Sequence, residues 1–169
     1  IDLILNMTDL QSGTYERSIR EFDAGRSLTT LISEYKHYAA TKNIELKQNL
    51  DFIAFKINSD EYAFTQIFGN LIDNAIKYTD KGYVEVKAKH SEDDMLTVSI
   101  SDTGIGMSKE FLPKLFSTFT QEEQGYTRSY DGNGLGMALV KRYCDLINAE
   151  ISVESRKGKG TTFNVVIHG

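Results

Sequence analysis

The stretch Gln66-Ile67-Phe68-Gly69-Asn70-Leu71-Ile72-Asp73-Asn74-Ala75-Ile76-Lys77-Tyr78-Thr79 decides how this chain folds. Phe64, Ile67, Phe68, Leu71, Ile72, Ala75 and Ile76 recur at steps of three and four, the apolar stripe of a helix that faces a core. On a wheel of roughly 100° per residue, Asn70, Asn74 and Lys77 fall in one narrow wedge on the opposing flank. A solvated face more usually carries Glu/Lys pairs at four-residue spacing. Two carboxamides and an ammonium converging beside a core helix suit a magnesium ion and phosphates.

Outward from this helix the chain alternates helices and strands. Ile1 to about Gln11 reads as a short helix with Ile1, Ile4, Leu5 and Thr8 on one side, closed by Ser12-Gly13. Residues 17–23 read as a short strand. Leu28, Leu31, Ile32, Tyr35, Tyr38 and Ala39 mark a second amphipathic helix ending near Asn43. Ile44–Lys47 and Phe52–Ile57 read as two strands. After Gly82, Tyr83–Ala88 and Leu96–Ile100 alternate as adjacent strands around the polar turn Glu92-Asp93-Asp94. Residues 108–132 lack strong periodicity, Leu135–Ile147 forms a helix, and Ile151–Glu154 and Thr162–Ile167 complete the sheet. The fold expected is α+β, a two-layer sandwich with helices on one face of a mixed, mostly antiparallel sheet.

Composition narrows the function. The 169 residues suffice for one domain with a sizeable core and an appended helix. A net charge of −5, with no basic stripe, argues against a nucleic-acid surface. The sole cysteine, Cys144, excludes an internal disulfide and any zinc-cluster spacing, and its place on an apolar helix face makes it buried and inert. There is neither a run of 18 apolar residues nor a signal-peptide pattern, so a soluble piece without membrane contact is expected.

Glycines gather where a ligand could approach. Of 13 glycines, eight stand at positions 104, 106, 125, 132, 134, 136, 158 and 160, and Gly104/Gly106, Gly134/Gly136 and Gly158/Gly160 form three G-x-G pairs. One such pair is weak evidence, because hairpins and caps use the same residues. Three, each at a strand or helix boundary, point to backbone held close to a ligand. Gly132-Asn133-Gly134-Leu135-Gly136 precedes a helix, so its amides could hold phosphate oxygens. It is neither a Walker A loop nor a Rossmann fingerprint, because no Gly-Lys-Ser/Thr follows and no strand leads into it. Asp102 ends a strand and opens Asp102-Thr103-Gly104-Ile105-Gly106-Met107. A carboxylate only accepts hydrogen bonds, so it would welcome an exocyclic amino group and repel a carbonyl, selecting adenine over guanine.

With these residues in place, the chain resembles the sensor histidine kinases. Gln66–Thr79 looks like their N box and Asp102–Gly106 their G1 box. Leu115-Phe116-Ser117-Thr118-Phe119-Thr120-Gln121 looks like the F box, Gly132–Gly136 like G2, and Gly158-Lys159-Gly160-Thr161-Thr162-Phe163 like the third glycine motif. The five lie in family order across residues 66–163, and Phe119-Thr120-Gln121 with Thr127-Arg128 and Tyr130 is similar to the hybrid-type kinases. Thr118 stands where the F box often has proline, and Met137 where leucine is common.

The resemblance implies the Bergerat ATP-binding fold shared with gyrase B, Hsp90 and MutL, with ATP and Mg2+ as cofactors. Asn70 and Asn74 would ligate the metal, and Asn70 and Lys77 would carry the catalytic role. Lys77 and Tyr78 would meet the phosphates, and Asp102 the adenine amino group, with Thr161 helping through water. Ile105 and Met107 would pack on the base beside Gly104 and Gly106. Residues 108–132 would be the lid, anchored by Phe116 and Phe119. Arg128 could reach the γ-phosphate, and Gly132, Gly134, Leu135 and Gly136 would cradle phosphates.

Hydrolytic relatives place a glutamate four residues before the second asparagine, as base for water. Here that position is Asn70, and an amide takes no proton. Transfer to a strong nucleophile needs mainly positioning and charge neutralisation, which favours a kinase. The family's acceptor is a histidine followed by an acid and then a proline, on a dimeric helical hairpin. His37, His90 and His168 lack that context, and the only proline, Pro113, is far from all three in sequence. The acceptor is therefore expected outside this chain, on the hairpin of the same homodimeric kinase. Residues 1–16 would be the tail of the hairpin's second helix and 17–169 the catalytic domain. A response-regulator receiver domain is the expected downstream partner, and the setting is cytoplasmic, with nucleic acid excluded. A nucleotide-responsive module without transfer activity and an ATPase of the gyrase or chaperone kind are the alternatives.

Overall fold

The computed structural model describes residues 15–51, 54–91, 93–116 and 136–168. The expected helix over Ile1–Gln11 and most of the expected lid fall outside them. Each long helix starts where an aspartate can cap it. Asp23 accepts from the Arg26 N–H at 3.2 Å to open α1 (Ala24–Thr41), and Asp60 accepts from the Ala63 N–H at 2.9 Å to open α2 (Glu61–Lys77). Asn43, just past the end of α1, takes a left-handed φ of 59°, a conformation asparagine tolerates better than most residues. The third helix, α3 (Gly136–Leu146), ends the same way at Asn148, with a φ of 57°.

The strands are β1 (Ile19–Asp23), β2 (Glu45–Leu50), β3 (Lys56–Asp60), β4 (Tyr83–His90), β5 (Met95–Asp102), β6 (Glu150–Arg156) and β7 (Gly160–His168). Five form one sheet in the order β2-β4-β5-β7-β6, parallel between β2 and β4 and antiparallel elsewhere, which is the mixed sheet expected. Alternation points Val84, Val86, Leu96, Val98, Ile100, Phe163, Val165 and Ile167 at the helices, where they bury with Phe64, Ile67, Phe68, Leu71 and Ile72. On the other face Ser99 donates to Asn164 at 2.6 Å and Ser101 meets Thr162 at 2.9 Å. That face is polar and needs no second helical layer.

Two details depart from the sequence reading. The strand expected at Phe52–Ile57 runs instead over Lys56–Asp60, and it pairs with β1 in a separate two-stranded antiparallel sheet. Its alternation buries Ile57 and Ser59, and its last residue must be the α2 cap, which sets the register. Phe55 precedes the strand and its carbonyl receives the Ala24 N–H at 2.8 Å. Cys144 is buried as expected, and desolvation pushes its thiol up to about 12. Among the described residues, no helix is long and apolar enough to cross a membrane.

Asp60 also fastens the first described residues. Its Oδ2 accepts the Tyr15 hydroxyl and the Ser18 N–H, both at 2.9 Å, while the Tyr15 ring meets Tyr62 and Tyr143 at 6.3 and 6.0 Å. Asp60→Ala should therefore cost about 3 kcal/mol in urea unfolding, a cap and two further bonds to a buried carboxylate. Tyr15→Phe, which keeps the ring, should cost about 1 kcal/mol. Equal losses would show that the Tyr15 hydroxyl bond, not the helix cap, carries the contribution of the carboxylate.

Candidate functional site

The C-terminal half of α2 supplies the polar wedge. Asn74 is buried at 7 % exposure, Asn70 is half-buried and Lys77 is exposed. Asn70 Nδ2 donates to the Gln66 carbonyl one turn back at 2.7 Å, so one of its two amide hydrogens is held within the helix and its Oδ1 is left to accept from or ligate a ligand. Asn74 Nδ2 is buried without a hydrogen-bond partner among the described residues. A buried amide without a protein partner is costly and signals a missing ligand. The Asn70 oxygen therefore fits a hard cation that takes oxygen ligands, whereas the Asn74 Nδ2 is a donor and fits an acceptor such as a phosphate oxygen. Lys77 lies 3.9 Å from Asp73, a loose contact that leaves its ammonium able to turn to an anion. Burial holds the Asp73 carboxyl above the usual range, partly offset by Lys77.

The end of α2 is tied to the Asp102–Met107 loop. The Tyr78 carbonyl receives the Ile105 N–H at 3.1 Å, and the Ile105 carbonyl receives the Gly158 N–H at 2.7 Å. The loop thus lies backbone to backbone between α2 and the β6–β7 turn, and its glycines follow from that. A Cβ on Gly104 would stand 2.2 Å from the Tyr78 carbonyl oxygen, and one on Gly160 would stand 2.1 Å from that of Asp102. The close approach inferred from these glycines is thus made by the protein's own backbone. Gly160→Ala, with a φ of +116° as well, should cost several kcal/mol, whereas Gly158→Ala meets no atom within 4 Å and should cost only about 1–2 kcal/mol of left-handed strain. Chemical denaturation distinguishes the two; similar losses would show that conformation, not contact, sets the need for glycine.

Asp102 sits at the floor of this loop. Its Oδ1 accepts the Gly104 N–H at 2.8 Å and the Thr161 N–H at 3.2 Å. Desolvation nevertheless pushes its carboxyl from 3.8 up to about 6, against the pull of those two bonds. A folded value above the unfolded one means that the native state binds the proton more tightly. Stability is then lost as pH rises from about 4 to about 6, and the cost persists above that range, at about 3 kcal/mol. Asp102→Asn keeps an acceptor and should stabilise the ligand-free chain at neutral pH by about 1–3 kcal/mol, flattening stability between pH 4 and 6. Urea unfolding at pH 5 and pH 7.5 checks this; a destabilised variant at neutral pH would refute it.

The remaining expected residues divide three ways. Thr161 is buried beside Asp102, its register partner, while Ile105 is 37 % exposed and free to cover a flat ligand. Met107 and Tyr78 are instead buried in the core, and Gly136 begins α3. Phe119, Arg128, Gly132, Gly134 and Leu135 lie outside the described residues. Two residues that the sequence reading missed support the site. Lys42 donates from Nζ to the Ile76 and Lys77 carbonyls, each at 2.8 Å, capping the end of α2 from below. Ser155 accepts the Met107 N–H at 2.8 Å. Lys42 left no local signal, but Ser155 did, as the polar third member of the inward alternation Ile151, Val153, Ser155. A cavity of about 790 Å³ between α1 and α2 touches Asn70 and Gly69 but contains none of Asp102, Gly104 or Thr161. The acceptor-only chemistry lies at Asp102, outside that cavity.

A one-faced mixed sheet, carboxamides on its central helix and a carboxylate under a glycine loop define a class of nucleotide-binding α+β sandwiches. Residues 59–168 match the family described as histidine kinase-, DNA gyrase B-, and HSP90-like ATPase, and the chain belongs to that family. It is 35 % identical over 99 % of its length to an uncharacterised sensor-like histidine kinase of Rhizobium meliloti. It is 34 % identical over 97 % of its length to the autoinducer 2 sensor kinase/phosphatase LuxQ of Vibrio parahaemolyticus. The chain spans 32 % and 20 % of those relatives. Among solved structures, full-length ShkA in complex with AMPPNP superposes with a TM-score of 0.85 at 26 % identity, covering 98 % of this chain and 34 % of that one. The nucleotide-free catalytic domain of histidine kinase ThkA superposes with a TM-score of 0.77 at 22 % identity, covering 89 % of this chain and 95 % of that one, and shows the fold alone.

Proposed function

We propose that the chain is the ATP-binding catalytic domain of a sensor histidine kinase, presenting the γ-phosphate of ATP to a histidine on a separate helical hairpin. The observation that carries this reading is the continuity of the site. The Tyr78–Ile105 bond fixes the end of α2, which carries the carboxamide wedge, against the loop that starts at Asp102, and this juxtaposition supports a phosphate end at the wedge and a base end at Asp102. The sensor kinases among the relatives and the ATP analogue held by ShkA support it.

Asp102 would accept from the adenine amino group and Ile105 would cover the base. Lys77 would pair with phosphate oxygens, and Asn70 Oδ1 and Asn74 would hold magnesium, which when bound neutralises phosphate charge. In the transfer the bond from the γ-phosphorus to its bridging oxygen breaks, a bond to the imidazole nitrogen forms, and ADP leaves with the electron pair. Water is a poor competitor, because Asn70 has no basic atom with which to activate it. The hairpin would come from the homodimeric parent kinase, preceding a domain that starts near residue 17, with a receiver domain as the next acceptor and a cytoplasmic setting.

Incubated with γ-labelled ATP, magnesium and the helical hairpin of its own kinase, the chain should place label on a histidine, in an acid-labile bond. Nucleotide binding that is lost in Asp102→Asn, without any phosphohistidine, would instead favour a nucleotide-responsive module. Fast hydrolysis without transfer would favour an ATPase.

A further inference from the structure

Ser155 lies on the inner face of β6, and its hydroxyl has three partners. It accepts the Met107 N–H at 2.8 Å, donates to the Gly160 carbonyl at 3.1 Å, and stands 2.8 Å from Thr161 Oγ1. A serine hydroxyl carries one proton and two lone pairs. The carbonyl can only accept, so it takes the proton, and the Met107 amide takes one lone pair. The contact with Thr161 must use the second lone pair, which makes Thr161 the donor. Thr161 has only that proton to give.

With its proton committed to Ser155, Thr161 Oγ1 offers only lone pairs on its remaining sides. Asp102, hydrogen-bonded to the Thr161 amide, also offers only acceptors. Thr161 is 3 % exposed, so no bulk solvent reorients its hydroxyl. We propose that Ser155 is a specificity-determining residue: by holding the Thr161 proton it keeps this end of the site acceptor-only, and so excludes purines that carry a carbonyl in place of the six-amino group. The proposal rests on the reading that adenine binds at Asp102. Without the Ser155 oxygen, the Thr161 hydroxyl becomes a free rotor. Through the water that would link it to the base, it then donates or accepts as the group at the six position requires, and discrimination falls.

The test compares affinities of the 169-residue chain for ATP and inosine triphosphate, which differ at that group. The unaltered chain should prefer ATP, and Ser155→Ala should narrow the ratio by about tenfold or more through relatively tighter binding of inosine triphosphate. Ser155→Thr restores the hydroxyl and should restore the ratio. Ser155→Cys, close in size but a weak acceptor, should narrow it as alanine does, should the alanine variant fail to fold. If Ser155 only staples the loop to the hairpin, both affinities drop together and the ratio stays, which overturns the proposal. No preference for ATP in the unaltered chain, or a preference indifferent to Asp102→Asn, overturns the adenine reading itself. A preference that Asp102→Asn abolishes and Ser155→Ala leaves intact overturns the Ser155 role alone.

Discussion

The site depends on a stack of three backbones. The Asp102–Met107 loop lies with the end of α2 on one side and the β6–β7 turn on the other, joined by Ile105 to the Tyr78 carbonyl and by Gly158 to the Ile105 carbonyl. Side chains cannot fit between these layers, as the contacts at Gly104, Gly106 and Gly160 show. This stack gives the helix-borne wedge and the strand-borne carboxylate a fixed relation, although 28 residues separate Asn74 from Asp102 in sequence. Lys42 braces the same point by capping the last carbonyls of α2, so the turn carrying Lys77 is held at both its backbone and its neighbours.

The site is held against its own energetics. Asp102 is desolvated enough to resist ionisation, Asn74 Nδ2 is buried without a partner among the described residues, and Ile105 leaves apolar surface in water. Each costs free energy in the ligand-free chain, and each is offset elsewhere, by the apolar stripe of α2 against the sheet and by its aspartate cap. Such local departures from good packing are where a binding partner recovers the difference, because a ligand that pairs these groups stabilises the folded state by its own affinity.

Much of this was legible in the sequence because it is local. The α2 stripe repeats at helical period through Phe64–Ile76, and the β4 and β5 alternations have period two, so both announce themselves within a few residues. What stayed hidden is set by partners distant in the chain. The pairing of β1 with β3 links segments 35 residues apart between Phe22 and Ile57, with no periodic signal to match them. Lys42 caps a helix 34 residues away. The glycines were found for a reason only half right: their spacing showed that something must come close, and the pattern is the same whether that is phosphate or backbone.

The hydrogen bond inside α2 explains why Asn70 matters more as an amide than as a polar residue. One hydrogen of its Nδ2 is held by the Gln66 carbonyl, a bond within the helix that restricts how the amide can turn. A glutamate or aspartate here could not keep that bond, because an ionised carboxylate has no hydrogen to donate. The carboxylate would be repelled by the Gln66 carbonyl and would swing free, gaining the basic atom that water activation needs and losing the fixed orientation that metal ligation needs. On the proposed reading, one position on one helix would trade an oxygen ligand for the metal against a general base. With the amide in place, the site would on that reading be suited to transfer to a nucleophile that brings its own lone pair.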